Sequence, residues 1–229
     1  MGARMGVRIA AALAVGALLA GCGSPVDEPE ETTAAADTAF GAEPDGGYDV
    51  GRLSDAADIF PEGYDVKSMP VAVLTREEAD QIAGMYDSIQ ISFDPPHCRS
   101  LSTPFRLTEG SATGGSRSVK PATIVVMASR LSVPNPDPVV DASCAKVTMD
   151  APGVMTGVAT AIDAPQIPDV TTLAVKSVVD GQQSGMAAQR ESYTMVAVLS
   201  DRTSVMVQGE KDPKLLGDML VKAVEKLRA

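Results

Sequence analysis

Tyr193-Thr-Met-Val-Ala-Val-Leu199, Ser200-Asp201-Arg202, Thr203-Ser-Val-Met-Val-Gln208: this stretch decides the fold class. Two runs rich in β-branched and apolar residues flank a short polar tripeptide, the pattern of an antiparallel hairpin. A helix follows almost at once. Asp212 is placed to cap it and Pro213 suits its first position, where no backbone donor is needed. Leu215, Leu216, Met219, Leu220, Ala223, Val224 and Leu227 then recur at helical period and form a broad apolar stripe. Lys222, Lys226 and Arg228 stand at the negative end of the helix dipole. A hairpin that runs into such a helix implies that the stripe is buried on the sheet.

Working back along the chain, more strands appear. Thr123 to Leu131 is almost continuously apolar and reads as a central strand. Ser143 to Met149 forms another and ends before the Ala151-Pro152-Gly153 turn. From Val154 to Ile162 the β-branched residues Val154, Thr156, Val158, Thr160 and Ile162 share one face. Met155, Gly157, Ala159 and Ala161 share the other, which is small enough for a helix to approach closely. Leu173, Val175 and Val179 alternate in the same way. Nearer the N-terminus, Thr75 and Glu78 have capping-box spacing, and Ala79, Ile82, Ala83 and Tyr86 line one face of the helix they start. Ile89 to Phe93 reads as a strand that stops at Asp94-Pro95-Pro96. Leu53 to Phe60 holds a short helical turn, and Pro61 to Tyr64 a reverse turn. Gly110 to Arg117 reads as a flexible connection between strands, because it lacks the Gly-Lys-Ser/Thr ending of a phosphate-binding loop. Pro134 to Pro138 reads as a stiff exposed connection. The expected fold is α+β: one mostly antiparallel sheet with N-terminal and C-terminal helices packed on one face.

The first residues carry Arg4 and Arg8, then an apolar run from Ile9 to Ala20, then Leu19-Ala20-Gly21-Cys22. This is a secretory signal ending in a lipobox. Residues 1–21 are expected to be a lipoprotein signal peptide, with Cys22 carrying the lipid. Residues 22–47 read as an acidic, flexible tether too poor in apolar residues to order itself. Residues 48–229 form the extracytoplasmic domain. The protein is then anchored to the outer face of the cell membrane without spanning it.

The formal charge is −11, and the acids from Gly23 to Asp58, opposed only by Arg52, supply most of it. The acidity belongs to the tether and does not argue for a basic ligand. No basic patch interleaved with aromatics is present, so nucleic acid is not an expected partner. With Cys22 committed to lipid, Cys98 and Cys144 remain as an even pair and are expected to form a disulfide. His97 is the only histidine, and no carboxylate cluster completes a metal set around it, so no metal is expected. A Ser-His-Asp triad would need that one histidine, and no nucleophile elbow accompanies it. No catalytic residue and no cofactor are therefore assigned. Absence of Trp and scarcity of aromatics argue against stacking on sugars.

Several features recur in a familiar order: the lipobox, the acidic tether, Thr75-Arg-Glu-Glu-Ala-Asp80, Asp94-Pro-Pro-His-Cys98, Cys144, the Tyr193–Gly209 hairpin and the terminal helix. Together they resemble an actinobacterial, chiefly mycobacterial, family of secreted or lipid-anchored proteins of unknown function. The layout is more distantly similar to the extracellular sensor domain of PknH-type Ser/Thr kinases. That domain typically holds two disulfides, and this chain can make one. The resemblance implies a non-enzymatic envelope domain that binds a ligand or a protein partner. Two other roles fit the same residues: a carrier or chaperone of envelope lipids, and a structural partner of another envelope protein.

Overall fold

The computed structural model describes residues 48–102, 107–134, 142–183, 186–210 and 212–229. Residues 1–47, which hold the expected signal peptide, Cys22 and the expected tether, lie outside them, as do residues 135–141 of the proline-rich stretch. The strands are β1 (Val66–Val73), β2 (Ser92–Asp94), β3 (Ala112–Ser118), β4 (Ile124–Arg130), β5 (Lys146–Ala151), β6 (Met155–Ile162), β7 (Thr171–Gln183), β8 (Met186–Val198) and β9 (Thr203–Gly209). The helices are α1 (Arg76–Ile89), α2 (Arg99–Ser102) and α3 (Pro213–Arg228). All nine strands join in one antiparallel sheet of order β1-β3-β4-β9-β8-β7-β6-β5-β2. Among the described residues no helix is long and apolar enough to cross a membrane.

Strand alternation sends side chains to two faces, and each face has its own core. On one face Val126, Ala174, Met195 and Val207 meet Leu216, Leu220, Ala223 and Val224 of α3. Val50, Leu53, Ile59 and Phe60, from two short 3₁₀ turns at the start of the domain, join them. On the other face Leu173, Val175, Val196 and Met206 pack with Cys98, Leu101 and Cys144. The predicted stripe of α3 is thus buried as read. Its cap is formed as read too, with the Lys214 amide donating to Asp212 Oδ1 at 2.8 Å.

At the other end of α3, Arg52 donates to the Lys226 carbonyl at 3.4 Å, and Lys226 Nζ reaches Asp58 at 2.6 Å. That hydrogen bond lowers the Asp58 pKa below its ordinary 3.8. A lowered folded pKa stabilises above the unfolded value, and the contribution disappears as pH falls through the folded one. Asp58 is 70% exposed, so the pair contributes less than about 1 kcal/mol. Lys226→Met should raise the Asp58 titration toward its ordinary position in carboxyl NMR, because it removes the largest cause of the lowering. The same variant should cost less than about 1 kcal/mol at neutral pH and nothing in strong acid.

The N-terminal helix departs from expectation. Its capping box is present: the Thr75 amide donates to Glu78 Oε2 at 2.8 Å, and the Glu78 amide to Thr75 Oγ1 at 3.3 Å. Yet α1 contributes no described residue to either core, and only Ala79 among its described side chains is buried. Packing on the same face as α3 is therefore not seen; the face beneath α3 is shared with the 3₁₀ turns of residues 50–59 instead. Ile89 is also helical, not the start of a strand. The capped helix propagates until Gln90 turns left-handed at φ 51°, and only Ser92–Asp94 pair with β5.

The largest correction concerns Gly110 to Arg117. The stretch is not a flexible connection: Ala112–Ser118 is β3, paired on both sides and almost wholly buried. Small residues are needed because the first 3₁₀ turn lies directly on the strand. A Cβ on Gly114 would stand 2.9 Å from the Val50 carbonyl, and Ser116 Oγ donates to the Leu53 carbonyl at 2.7 Å. At Gly115 a Cβ would sit 2.2 Å from the Val126 carbonyl oxygen, which cannot move without displacing β4. Gly115→Ala is expected to cost about 3 kcal/mol, the upper end of ordinary overpacking, read as a shift in the urea midpoint.

Candidate functional site

The face that carries α3 is only half covered. Register shows how far it extends. Ile162, Ala174, Met195 and Val207 lie in line under the helix and the β6–β7 connection. The same face continues along β5 to β8 for three more rungs. The first joins Lys146, Thr160, Lys176 and Tyr193; the second Thr148, Val158, Val178 and Glu191; the third Asp150, Thr156, Asp180 and Gln189. All twelve side chains are half-buried or exposed. Among the described residues, this is a bare sheet surface with polar residues at its margins and two valines at its centre.

Its polar groups are organised. Lys176 Nζ lies 2.7 Å from Glu191 Oε2, and the Tyr193 hydroxyl donates to Glu191 Oε1 at 2.5 Å. Lys176 also stands 5.7 Å from the Tyr193 ring centroid, within cation–π range. One rung further, Gln189 Nε2 donates to Asp180 at 3.0 Å. Hydrogen bonds from Lys176 and then Tyr193 lower the Glu191 pKa. The same contact with Glu191 raises the pKa of Lys176, and it raises that of Tyr193 ahead of burial. Each shift holds its group in the form it has at neutral pH: carboxylate, ammonium and phenol. The cluster therefore offers fixed charges and donors for recognition. It provides no group poised to exchange a proton near pH 7.

The second candidate is the cysteine pair. Cys98 and Cys144 are disulfide-bonded with a Cα–Cα distance of 5.2 Å, and both are buried. Cys98 ends a 3₁₀ turn, Pro96–Cys98, and Cys144 lies in another, Ala142–Ala145. The bond fastens these turns and α2 over the small-residue face of β6, where Met155 and Ala159 are buried. That is the close helix approach the small residues imply. Ligand atoms of His97, Cys98 and Cys144 lie within 4.8 Å of one another. With the sulfurs joined, neither offers the thiolate a metal would need. The neighbouring cation is used structurally, Arg99 standing 5.7 Å from the Phe93 ring centroid.

Lipidation at Cys22 lies outside the described residues. Sequence reading missed Lys176, Glu191 and Tyr193, because in the chain they look like ordinary surface residues. The usable signal was parity. Once Gln183 is set opposite Met186, Lys176, Val178 and Asp180 fall opposite Tyr193, Glu191 and Gln189.

Comparison with known proteins adds a family but no activity. The fold is similar to a crystal structure of an uncharacterised protein from Mycobacterium smegmatis, the Rv0999 ortholog. The TM-score is 0.62 at 18% identity, with 81% of this chain and 99% of that chain covered. At that identity the likeness concerns the fold alone. No curated protein matches the sequence. Residues 49–228 match the domain of unknown function DUF5642. A match over most of the chain, with a similar fold in a mycobacterial protein, fits an actinobacterial family of unknown function, and the chain belongs to the DUF5642 family.

Proposed function

We propose that this protein is a lipid-anchored envelope protein whose extracytoplasmic domain binds a ligand or protein partner, without catalysis, on the bare face of β5–β8. One observation carries the binding role: a sheet face left uncovered by the described residues, on which Lys176, Glu191 and Tyr193 are held in mutual contact beside Val158 and Val178. Two valines supply area removed from water, and the fixed polar groups supply orientation, the usual division of labour in a recognition surface. The lipobox ending at Cys22 supports the anchor. The resemblance to sensor domains of PknH-type kinases supports a receptor-like role.

The reading is tested by mass spectrometry of the protein extracted from its membrane. A lipid mass on Cys22, lost in Cys22→Ser, together with a companion retained under native conditions and lost in Lys176→Ala/Tyr193→Ala, is the expected result. A bare polypeptide mass would remove the anchor. A companion indifferent to both face residues would remove the site. A retained lipid in place of a protein or polar ligand would favour the carrier reading.

A further inference from the structure

We propose that the bare face of β5–β8 binds the same face of a second copy of this chain, about a two-fold axis that runs along its middle rung. The inference rests on the reading of this face as a binding surface and names its occupant. Charge placement identifies that occupant. The first rung carries Lys146 and Lys176, and the third carries Asp150 and Asp180. Lys146 and Asp150 share β5, and Lys176 and Asp180 share β7, each pair four residues apart. The two rungs are therefore about 13 Å apart. Between them lie the half-buried Val158 and Val178. Among the described residues, Lys146 and Asp150 take part in no ion pair.

Such a face complements itself. The two-fold axis sets the first rung of one copy over the third rung of the other, and each strand over its own counterpart. Lys146 then faces Asp150 of the second copy, and Lys176 faces Asp180. Tyr193 faces Gln189, a pair able to hydrogen-bond. Val158 and Val178 meet themselves at the centre. Glu191 also meets itself, but in each copy Lys176 lies 2.7 Å from its carboxylate and the Tyr193 hydroxyl donates to it. Every other contact occurs twice, as an isologous interface requires. Stacking the first rung over the first would oppose lysine to lysine and aspartate to aspartate, which is unfavourable. Facing sheets stand about 10 Å apart, a gap that a lysine and an aspartate cross together. Four strands and three rungs cover about 14 Å by about 13 Å. That area is small for a specific interface, so the pairing is an equilibrium between monomer and dimer.

Lys146 and Asp150 supply the test, because both are exposed and neither belongs to the Lys176–Glu191–Tyr193 cluster. Sedimentation equilibrium of the purified full chain should show a monomer–dimer equilibrium. Lys146→Asp and Asp150→Lys should each weaken it by about tenfold, since each sets like charges opposite at two symmetric places. An equimolar mixture of the two variants should pair as the parent does, because every contact is again between opposite charges. A photoreactive side chain at Val178 should join two copies of the chain. A monomer at every concentration tested would overturn the proposal, as would a dimer indifferent to both variants or a mixture that does not recover. Capture at Val178 of a companion other than this chain, lost in Lys176→Ala/Tyr193→Ala, would overturn the self-pairing and leave the face as a binding surface. Capture of nothing at Val178 would remove both.

Discussion

Leu220→Asp is expected to leave the domain unfolded. Leu220 is wholly buried between α3 and the sheet, in one cluster with Met195, Val205 and Val207. Removing the leucine forfeits roughly 1.5–3 kcal/mol of burial. The carboxylate adds several kcal/mol of desolvation, and among the described residues no lysine or arginine is buried to offset it. A domain of this kind is stable by only about 5–15 kcal/mol, so the combined loss is comparable with the whole. Leu220→Ala separates the two contributions: it should fold and lose about 2–5 kcal/mol. Circular dichroism melts of the two variants read the difference. A soluble Leu220→Asp protein that melts cooperatively near the parent temperature would contradict the packing of α3.

Removal of the Cys98–Cys144 bond is expected to cost about 4 kcal/mol at most. The crosslink closes a loop of 46 residues, for which the chain-entropy argument gives about 4 kcal/mol at room temperature. The effect acts largely through the unfolded chain, which gains freedom once the bond is cut. It should therefore appear as a lower urea midpoint in both the reduced protein and the Cys98→Ser/Cys144→Ser variant. The second core should loosen first, because Leu101 and Val147 depend on the bonded turns for their cover. Amide exchange should accordingly accelerate in β5 and β6 before it does in β4 and β9. Equal midpoints with and without reductant would show that the bond does not constrain the chain.

The sequence was most legible where pattern and burial agree. The β8–β9 hairpin, α3 and its Asp212 cap, β4 and β6 all follow from apolar period and local turn chemistry. Cysteine arithmetic led to the disulfide. It was least legible where burial is achieved without apolar side chains. Gly114, Gly115 and Ser116 look like a loop, yet they lie in the middle of a buried strand: a 3₁₀ turn needs the lack of bulk at Gly114 and Ser116, and the backbone of β4 needs it at Gly115. Strand β1 hid for a related reason: Lys67, Ser68 and Pro70 break its alternation, as expected of an edge that must resist pairing. The bare face of β5–β8 hid because it is assembled only by register. Lys176 and Glu191 are 15 positions apart and meet only through the long β7–β8 pairing, and the sequence between the two strands carries no Asn-Gly or Asp-Gly signal. Helix α1 shows the converse, a well-capped helix whose local chemistry carries no information about what it packs against.

The bare face of β5–β8 is the centre of the account, and site-specific photocrosslinking tests it most directly. A photoreactive side chain placed at Val178, in living cells, should capture one discrete companion, and Lys176→Ala/Tyr193→Ala should abolish that capture. The same group placed at Lys222, on the exposed side of α3, should capture none. Identical capture from both positions, or capture at Val178 that persists without Lys176 and Tyr193, would contradict the assignment of this face as the binding surface.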